Sequence, residues 1–280
     1  MRYPYDMQVS SYLRDHYWEG KAVLPAVEAM IILALAVKTY CPQLEINCLR
    51  HASFSRFLTI APATDCLPLL IDMEGSTGGG MIASLLTSIQ SKTAGIRREI
   101  EHASVEFSHA DFSGGDTPPF QKVNKLEGDC ISVPAGTIYR DLVPFGKAYQ
   151  NIVGDLAVSS RGALAYVSGG EGEADDDLLG SPFPLDAVLH AACVWGQRFA
   201  DRVCLPVGFE QRIIYQKTIK GEEYLGRIMP VNGTQEALMF DAWIYKNDAL
   251  CEKINGIQMK DVTKGRIVPP DWIRLGRVKS

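Results

Sequence analysis

His16 stands four residues before Gly20 and nine before Pro25, in the run Asp15-His-Tyr-Trp-Glu-Gly-Lys-Ala-Val-Leu-Pro25. Far along the chain, Asp186 is followed one helical turn later by His190. A neutral imidazole, with an ordinary pKa of about 6.5, accepts a proton near pH 7. A carboxyl, ordinarily ionised above about 3.9, donates one only where its surroundings keep it protonated. Apolar burial does that by disfavouring the charge, and Leu185, Ala187, Val188 and Leu189 offer such a wall. Residues four apart on a helix face each other, so His190 can hydrogen-bond the Asp186 carboxyl. A cationic His190 would oppose that protonation, so a neutral ring is expected. These residue types suit a proton taken by one group and given by the other. Two plainer roles stay open: His16 as a structural residue before a helix, and Asp186 as a cap in a first turn opened by proline.

The elements that must hold these groups are two helices. In Ala26–Tyr40 only Glu28, Lys38 and Thr39 fall outside the apolar set, the mark of a helix enclosed by other structure. At about 1.5 Å per residue it reaches roughly 22 Å, short of the roughly 30 Å of a bilayer core. Pro25 fits just before or at its first turn. A second helix with a wide apolar face runs from Pro182 to about Val203, again opened by proline.

Strand periodicity fills the rest: 7–13, 46–57, 65–73, 81–90 and 100–107 in the first half, and 121–130, 150–158, 163–169, 207–219, 223–230, 237–246 and 250–259 in the second. Residues 137–143 predict a short helix or turn, and 269–274 an irregular tail. The glycines of 75–80 lack the lysine a phosphate-binding loop needs and predict a hairpin turn. Residues 111–119 are the best linker, and the acidic run 171–177 predicts a solvated loop. The halves share one plan, their helices starting about 160 residues apart. This divides the chain into 1–115, with the His16 loop, and 116–280, with the Asp186 helix.

A composition of 46% hydrophobic and 22% charged residues is that of a soluble globular protein. The net charge of −5 leaves no basic footprint for nucleic acid. Seven scattered cysteines, never spaced as CxxC, predict reduced thiols in a cytoplasmic protein with no metal site. No apolar signal segment follows Met1.

With these residues in view, a resemblance becomes specific. His16-xxx-Gly20-xxxx-Pro25 matches the HxxxGxxxxP motif of polyketide synthase dehydratase domains, and Asp186-xxx-His190 matches their DxxxQ/H motif. Phe145-Gly-Lys-Ala-Tyr149-Gln is similar to the family's YGPxFQ segment, with Phe145 where tyrosine is usual and Lys147 where proline is usual. Leu205-Pro-Val-Gly-Phe-Glu210 resembles its LPVxxE-type strand. The resemblance runs in family order from about residue 9 to 260.

It implies an α+β double hotdog, two antiparallel sheets each wrapped around a central buried helix. It further implies dehydration of a 3-hydroxyacyl thioester carried on phosphopantetheine, with no other cofactor and no metal. His16 would then be the base and Asp186 the acid, with His190 orienting the carboxyl and Gly20 and Pro25 shaping the first site. The backbone N–H groups of the glycine loop and of the 26–40 helix start are natural donors to the thioester carbonyl. Tyr17, Trp18, Phe145 and Tyr149 would line a substrate tunnel or pack as core. His51, His102 and His109 are expected to be structural or at the surface. The implied partner is an acyl carrier protein, possibly with other synthase components, and the chain would be a monomer or a homodimer without a membrane span. Arg97-Arg98 and Arg198/Arg202 are candidate docking cations for the acidic carrier. Double-bond isomerisation, product-template-like cyclisation and non-catalytic acyl binding are the alternatives on this fold.

Overall fold

Helix α1 (Ala26–Tyr40) contains neither glycine nor proline, and Pro25 sits just outside it as an extended N-cap. Its residues from Val27 to Val37 are buried, Leu35 excepted. Helix α2 (Phe183–Phe199) starts after Pro182 with a second proline in its first turn and is buried along most of its length. The structure, a computed structural model, describes residues 1–90, 97–110, 118–171, 178–234 and 236–277, apart from the side chains of Gln90 and Arg97. Residues 111–117 of the expected linker and 172–177 of the acidic run lie outside the described residues.

The strands of the first half are β1 (Arg2–Gln8), β2 (Tyr17–Trp18), β3 (Lys21–Val23), β4 (Cys48–Ser53), β5 (Thr59–Ile60), β6 (Cys66–Gly75), β7 (Met81–Gln90) and β8 (Arg97–Ser108). Those of the second are β9 (Ile131–Pro134), β10 (Ile152–Ser159), β11 (Gly162–Ser168), β12 (Leu205–Ile214), β13 (Glu223–Val231), β14 (Leu238–Lys246) and β15 (Ala249–Lys260). Strands β6, β7 and β8 wrap α1, and β10 to β14 wrap α2, giving the α+β double hotdog expected from the sequence. The two wraps are continuous. All pairs are antiparallel, in the order β1-β6-β7-β8-β4-β12-β15-β14-β13-β11-β10-β9. A small sheet, β2-β3-β5, carries the histidine loop.

The seam between the halves is the β4–β12 ladder, where Gly208 pairs with Ser53 and Phe209 with Ala52. A Cβ on Gly208 would stand 2.3 Å from the Ala52 carbonyl oxygen, so the close approach there requires glycine. Hydrophobic packing runs through both halves as one core, from Met7 and Leu33 to Phe240 and Ile273. No helix among the described residues is long and apolar enough to cross a membrane.

Three local expectations are corrected. The first strand is Arg2–Gln8, and 11–15 forms a 3-10 turn instead of continuing a strand from 7 to 13. Tyr3, Tyr5 and Met7 alternate inward on this edge strand, a period carried by aromatic rings instead of aliphatic side chains. Residues 121–130 do not pair as a strand; Phe120–Val123 makes one helical turn whose Val123 packs on Leu225, Trp243 and Tyr245. The tail carries a helical turn, Asp271–Arg274, that buries Ile273. The 75–80 glycines do form the β6–β7 hairpin, closed by Ser76 N–H to the Gly80 carbonyl at 3.0 Å.

The approach to α2 is held by a buried ion pair. Arg212 Nε donates to Glu252 at 2.8 Å, with side chains 3% and 0% exposed, and Arg212 Nη2 donates to the Leu179 carbonyl at 3.3 Å. Thr218 completes the set by donating to the Ser181 carbonyl at 2.9 Å. Arg212→Ala leaves the Glu252 charge buried and alone, a loss of about 3–5 kcal/mol. Denaturant unfolding should show that loss, and a change below about 1 kcal/mol would mean the pair contributes little.

Candidate active site

The hairpin β2–β3 turns at Glu19 and Gly20, both with positive φ (47° and 75°), the pattern of a two-residue primed turn. Gly20 therefore shapes the hairpin, and His16 sits at its base with Val23 opposite. The Val23 N–H donates to the His16 carbonyl at 2.9 Å. The His16 Nδ1 lies 3.0 Å from the Val23 carbonyl. A carbonyl only accepts, so Nδ1 carries the hydrogen and Nε2 keeps a free lone pair. Burial lowers the His16 pKa below its ordinary value, and His190 adds to the lowering, against the Asp186 carboxylate and the Val23 carbonyl.

Asp186 lies in the first turn of α2, its N–H bonded to the Pro182 carbonyl at 3.1 Å, and the residue is 4% exposed. One turn on, His190 Nε2 is 3.0 Å from Asp186 Oδ2. The two atoms are close enough for an ion pair but misaligned for a hydrogen bond, and both stay buried without a hydrogen-bond partner. The other side of His190 faces Tyr139, whose hydroxyl is 3.5 Å from Nδ1 and accepts the Ile152 N–H at 2.9 Å. Burial raises the Tyr139 pKa, so the hydroxyl keeps its hydrogen.

Phe145 joins the halves: its ring centroid is 4.3 Å from that of His16 and 5.0 Å from that of His190. Asp15 fixes this segment by accepting the Ala148 N–H at 2.9 Å through its side chain and the Gly146 N–H at 2.7 Å through its carbonyl. A Cβ on Gly146 would fall 2.4 Å from the Asp15 carboxyl carbon, so the strap needs glycine.

His16, Asp186 and His190 line one cavity of about 870 Å³, part of it open to solvent. Trp18 and Phe145 stand in its wall, as does Ala26 at the start of α1. Pro25 is the N-cap beside it. Tyr17 is exposed and lies outside this cavity, while Tyr149 is wholly buried, with its ring 5.1 Å from His16 and its hydroxyl donating to Glu28 at 3.4 Å. His102 is in the cavity wall, bonded through Nδ1 to the Arg56 carbonyl at 3.2 Å and through Nε2 to Thr87 at 2.8 Å. His51 and His109 are exposed.

Asp15, Tyr139 and Glu28 were outside the sequence expectation. Asp15 adjoins His16 in the chain, the one signal that could have drawn attention to it.

The family model described as "PS-DH: Polyketide synthase dehydratase N-terminal domain" matches residues 132–266. The dehydratase domain from the CurF module of the curacin polyketide synthase superposes with a TM-score of 0.72 at 17% identity, covering 92% of each chain. A trans-AT polyketide synthase dehydratase domain from Brevibacillus brevis gives 0.69 at 17% identity, covering 93% of each. An N-terminal dehydratase from the difficidin assembly line gives 0.70 at 12% identity, covering 100% of this chain and 99% of its own. No curated protein matches the sequence.

Proposed function

Residues 132–266 belong to the polyketide synthase dehydratase family, and from that premise we propose that the chain eliminates water from 3-hydroxyacyl thioesters borne on the phosphopantetheine arm of an acyl carrier protein. The observation that carries the reading is the meeting, in one cavity, of a histidine from the first half with an aspartate and a histidine from the second.

In this reading His16 Nε2 takes the proton from Cα, and the electrons of that bond become the new Cα–Cβ double bond. The Cβ–O bond breaks, and Asp186 gives its proton to the departing hydroxyl, which leaves as water. His190 sits against the carboxyl and orients it. The free N–H groups at the start of α1, beside Ala26, are the donors for charge developing on the thioester oxygen. The buried, unpartnered Asp186 Oδ2 and His190 Nε2 support the assignment, since a substrate hydroxyl would satisfy them.

The carrier would meet an exposed cation. Arg98 and Arg202 are exposed, whereas Arg198 donates to the Arg274 carbonyl at 2.8 Å and lies 4.9 Å over the Phe199 ring.

The test is incubation with a 3-hydroxyacyl thioester of a carrier protein, read by mass and ultraviolet absorbance. Loss of one water with an enoyl chromophore is expected. Unchanged mass with a shifted double bond on an enoyl substrate would replace dehydration by isomerisation, and binding without turnover on any chain length would leave only an acyl-binding protein. Because burial lowers the His16 pKa, the base stays neutral at lower pH than a free histidine. The acid limb of kcat/KM is therefore expected below about pH 6.5, and a limb above it would count against His16 as the base.

A further inference from the structure

A second cavity, of about 950 Å³ and partly open to solvent, adjoins the catalytic one. The two share Trp18, Val143, Phe145, Cys193 and Leu205 in their walls. On α2, Asp186, His190, Cys193 and Gln197 follow at steps of four, three and four residues, so they lie on one face of the helix. At about 1.5 Å per residue that face spans roughly 16 Å. It begins in the catalytic cavity, passes Cys193 in the shared wall, and ends at Gln197 in the second cavity.

Gln197 is a polar residue, 1% exposed, near the end of this helix. Its Nε2 donates to the Leu142 carbonyl at 3.1 Å and contacts Cys193 Sγ at 3.5 Å. Both contacts use the amide nitrogen and none of them the oxygen. Burial raises the Cys193 thiol to about 11, so the side chain at the junction is a small uncharged one.

We infer that the second cavity holds the part of a thioester substrate extending away from the reacting carbons, with the Gln197 amide oxygen accepting a hydrogen bond from an N–H or O–H group on that chain. The inference rests on the dehydratase reading for the identity of the ligand. Two chains carry such donors, the pantetheine arm with its amides and a polyketide-like acyl chain with hydroxyls. A substrate has one of these on each side of the reacting centre, and a second cavity joined to the catalytic one through the wall at Phe145 and Cys193 gives one of those sides its own space.

The test uses unreactive amide analogues of the thioester, with a short or a long hydroxylated acyl group on either an N-acetylcysteamine or a full pantetheine handle. Binding is measured by calorimetry on Gln197→Leu and Val268→Trp variants of the full chain. Val268 is 61% exposed and lines only the second cavity, so its replacement does not endanger folding. Loss of one neutral hydrogen bond should weaken binding about three- to ten-fold in Gln197→Leu. Crowding by the tryptophan should exceed ten-fold. Losses confined to pantetheine-bearing analogues assign the cavity to the arm, and losses confined to long acyl groups assign it to the acyl chain. No loss with any analogue, or an equal loss that includes the short acyl group on N-acetylcysteamine, overturns the inference. Should Gln197→Leu fail to fold, Val268→Trp alone decides. Wild-type turnover of the short thioesters is followed separately. Its absence would count against the dehydratase reading while leaving the binding results to judge the cavity.

Discussion

His16→Ala is expected to lower kcat/KM for a 3-hydroxyacyl thioester by about 10²–10⁴-fold, the usual contribution of a positioned base. The loss should fall on the chemical step, because the imidazole presents its free Nε2 to the substrate while Nδ1 is tied to Val23. Removing the ring also takes away its packing on Phe145, so circular dichroism and thermal unfolding must show an intact fold before the rate is read. A folded His16→Ala variant with full activity would remove the base from the proposal.

Asp186→Asn is expected to cause a loss of the same order, about 10²–10⁴-fold, through a different step. Asparagine keeps the shape and burial of the side chain but has no carboxyl proton to give. The two variants therefore separate on a substrate with a better leaving group. A 3-acetoxyacyl thioester expels acetate, which needs no proton, so Asp186→Asn should recover most of its rate while His16→Ala stays slow. Equal recovery in both variants, or in neither, would refute the assignment of acid to Asp186 and base to His16.

These groups were legible in the sequence because they sit at fixed spacings within single elements. Asp186 and His190 share a helix, and His16, Gly20 and Pro25 share one hairpin and the helix that follows. Helix α1 was legible for a related reason, since its run is apolar from Ala29 to Val37 and broken before that by Glu28 alone. What escaped detection depends on contacts between distant segments. Asp15 reaches the backbone of Ala148, and Tyr139 reaches His190; neither leaves a periodic trace in sequence. Strand β1 was displaced because an edge strand is covered on one side only, so its pattern mixes exposed charges with tyrosines. The turn at Phe120–Val123 covers the outer face of the sheet, and its apolar residues read equally well as a short strand.

The seam at Gly208 gives the backbone an indirect hold on the proposed proton transfer. Neighbouring residues along a strand are about 3.4 Å apart, so a slip of two positions that preserved inward and outward faces would slide one half past the other by nearly 7 Å. That would carry one of the two groups out of hydrogen-bond reach of a substrate held by the other. Alignment of the proposed acid and base thus depends on a ladder between the halves, and a methyl group added at Gly208 would detune chemistry by shifting one half, with the side chains it carries, against the other.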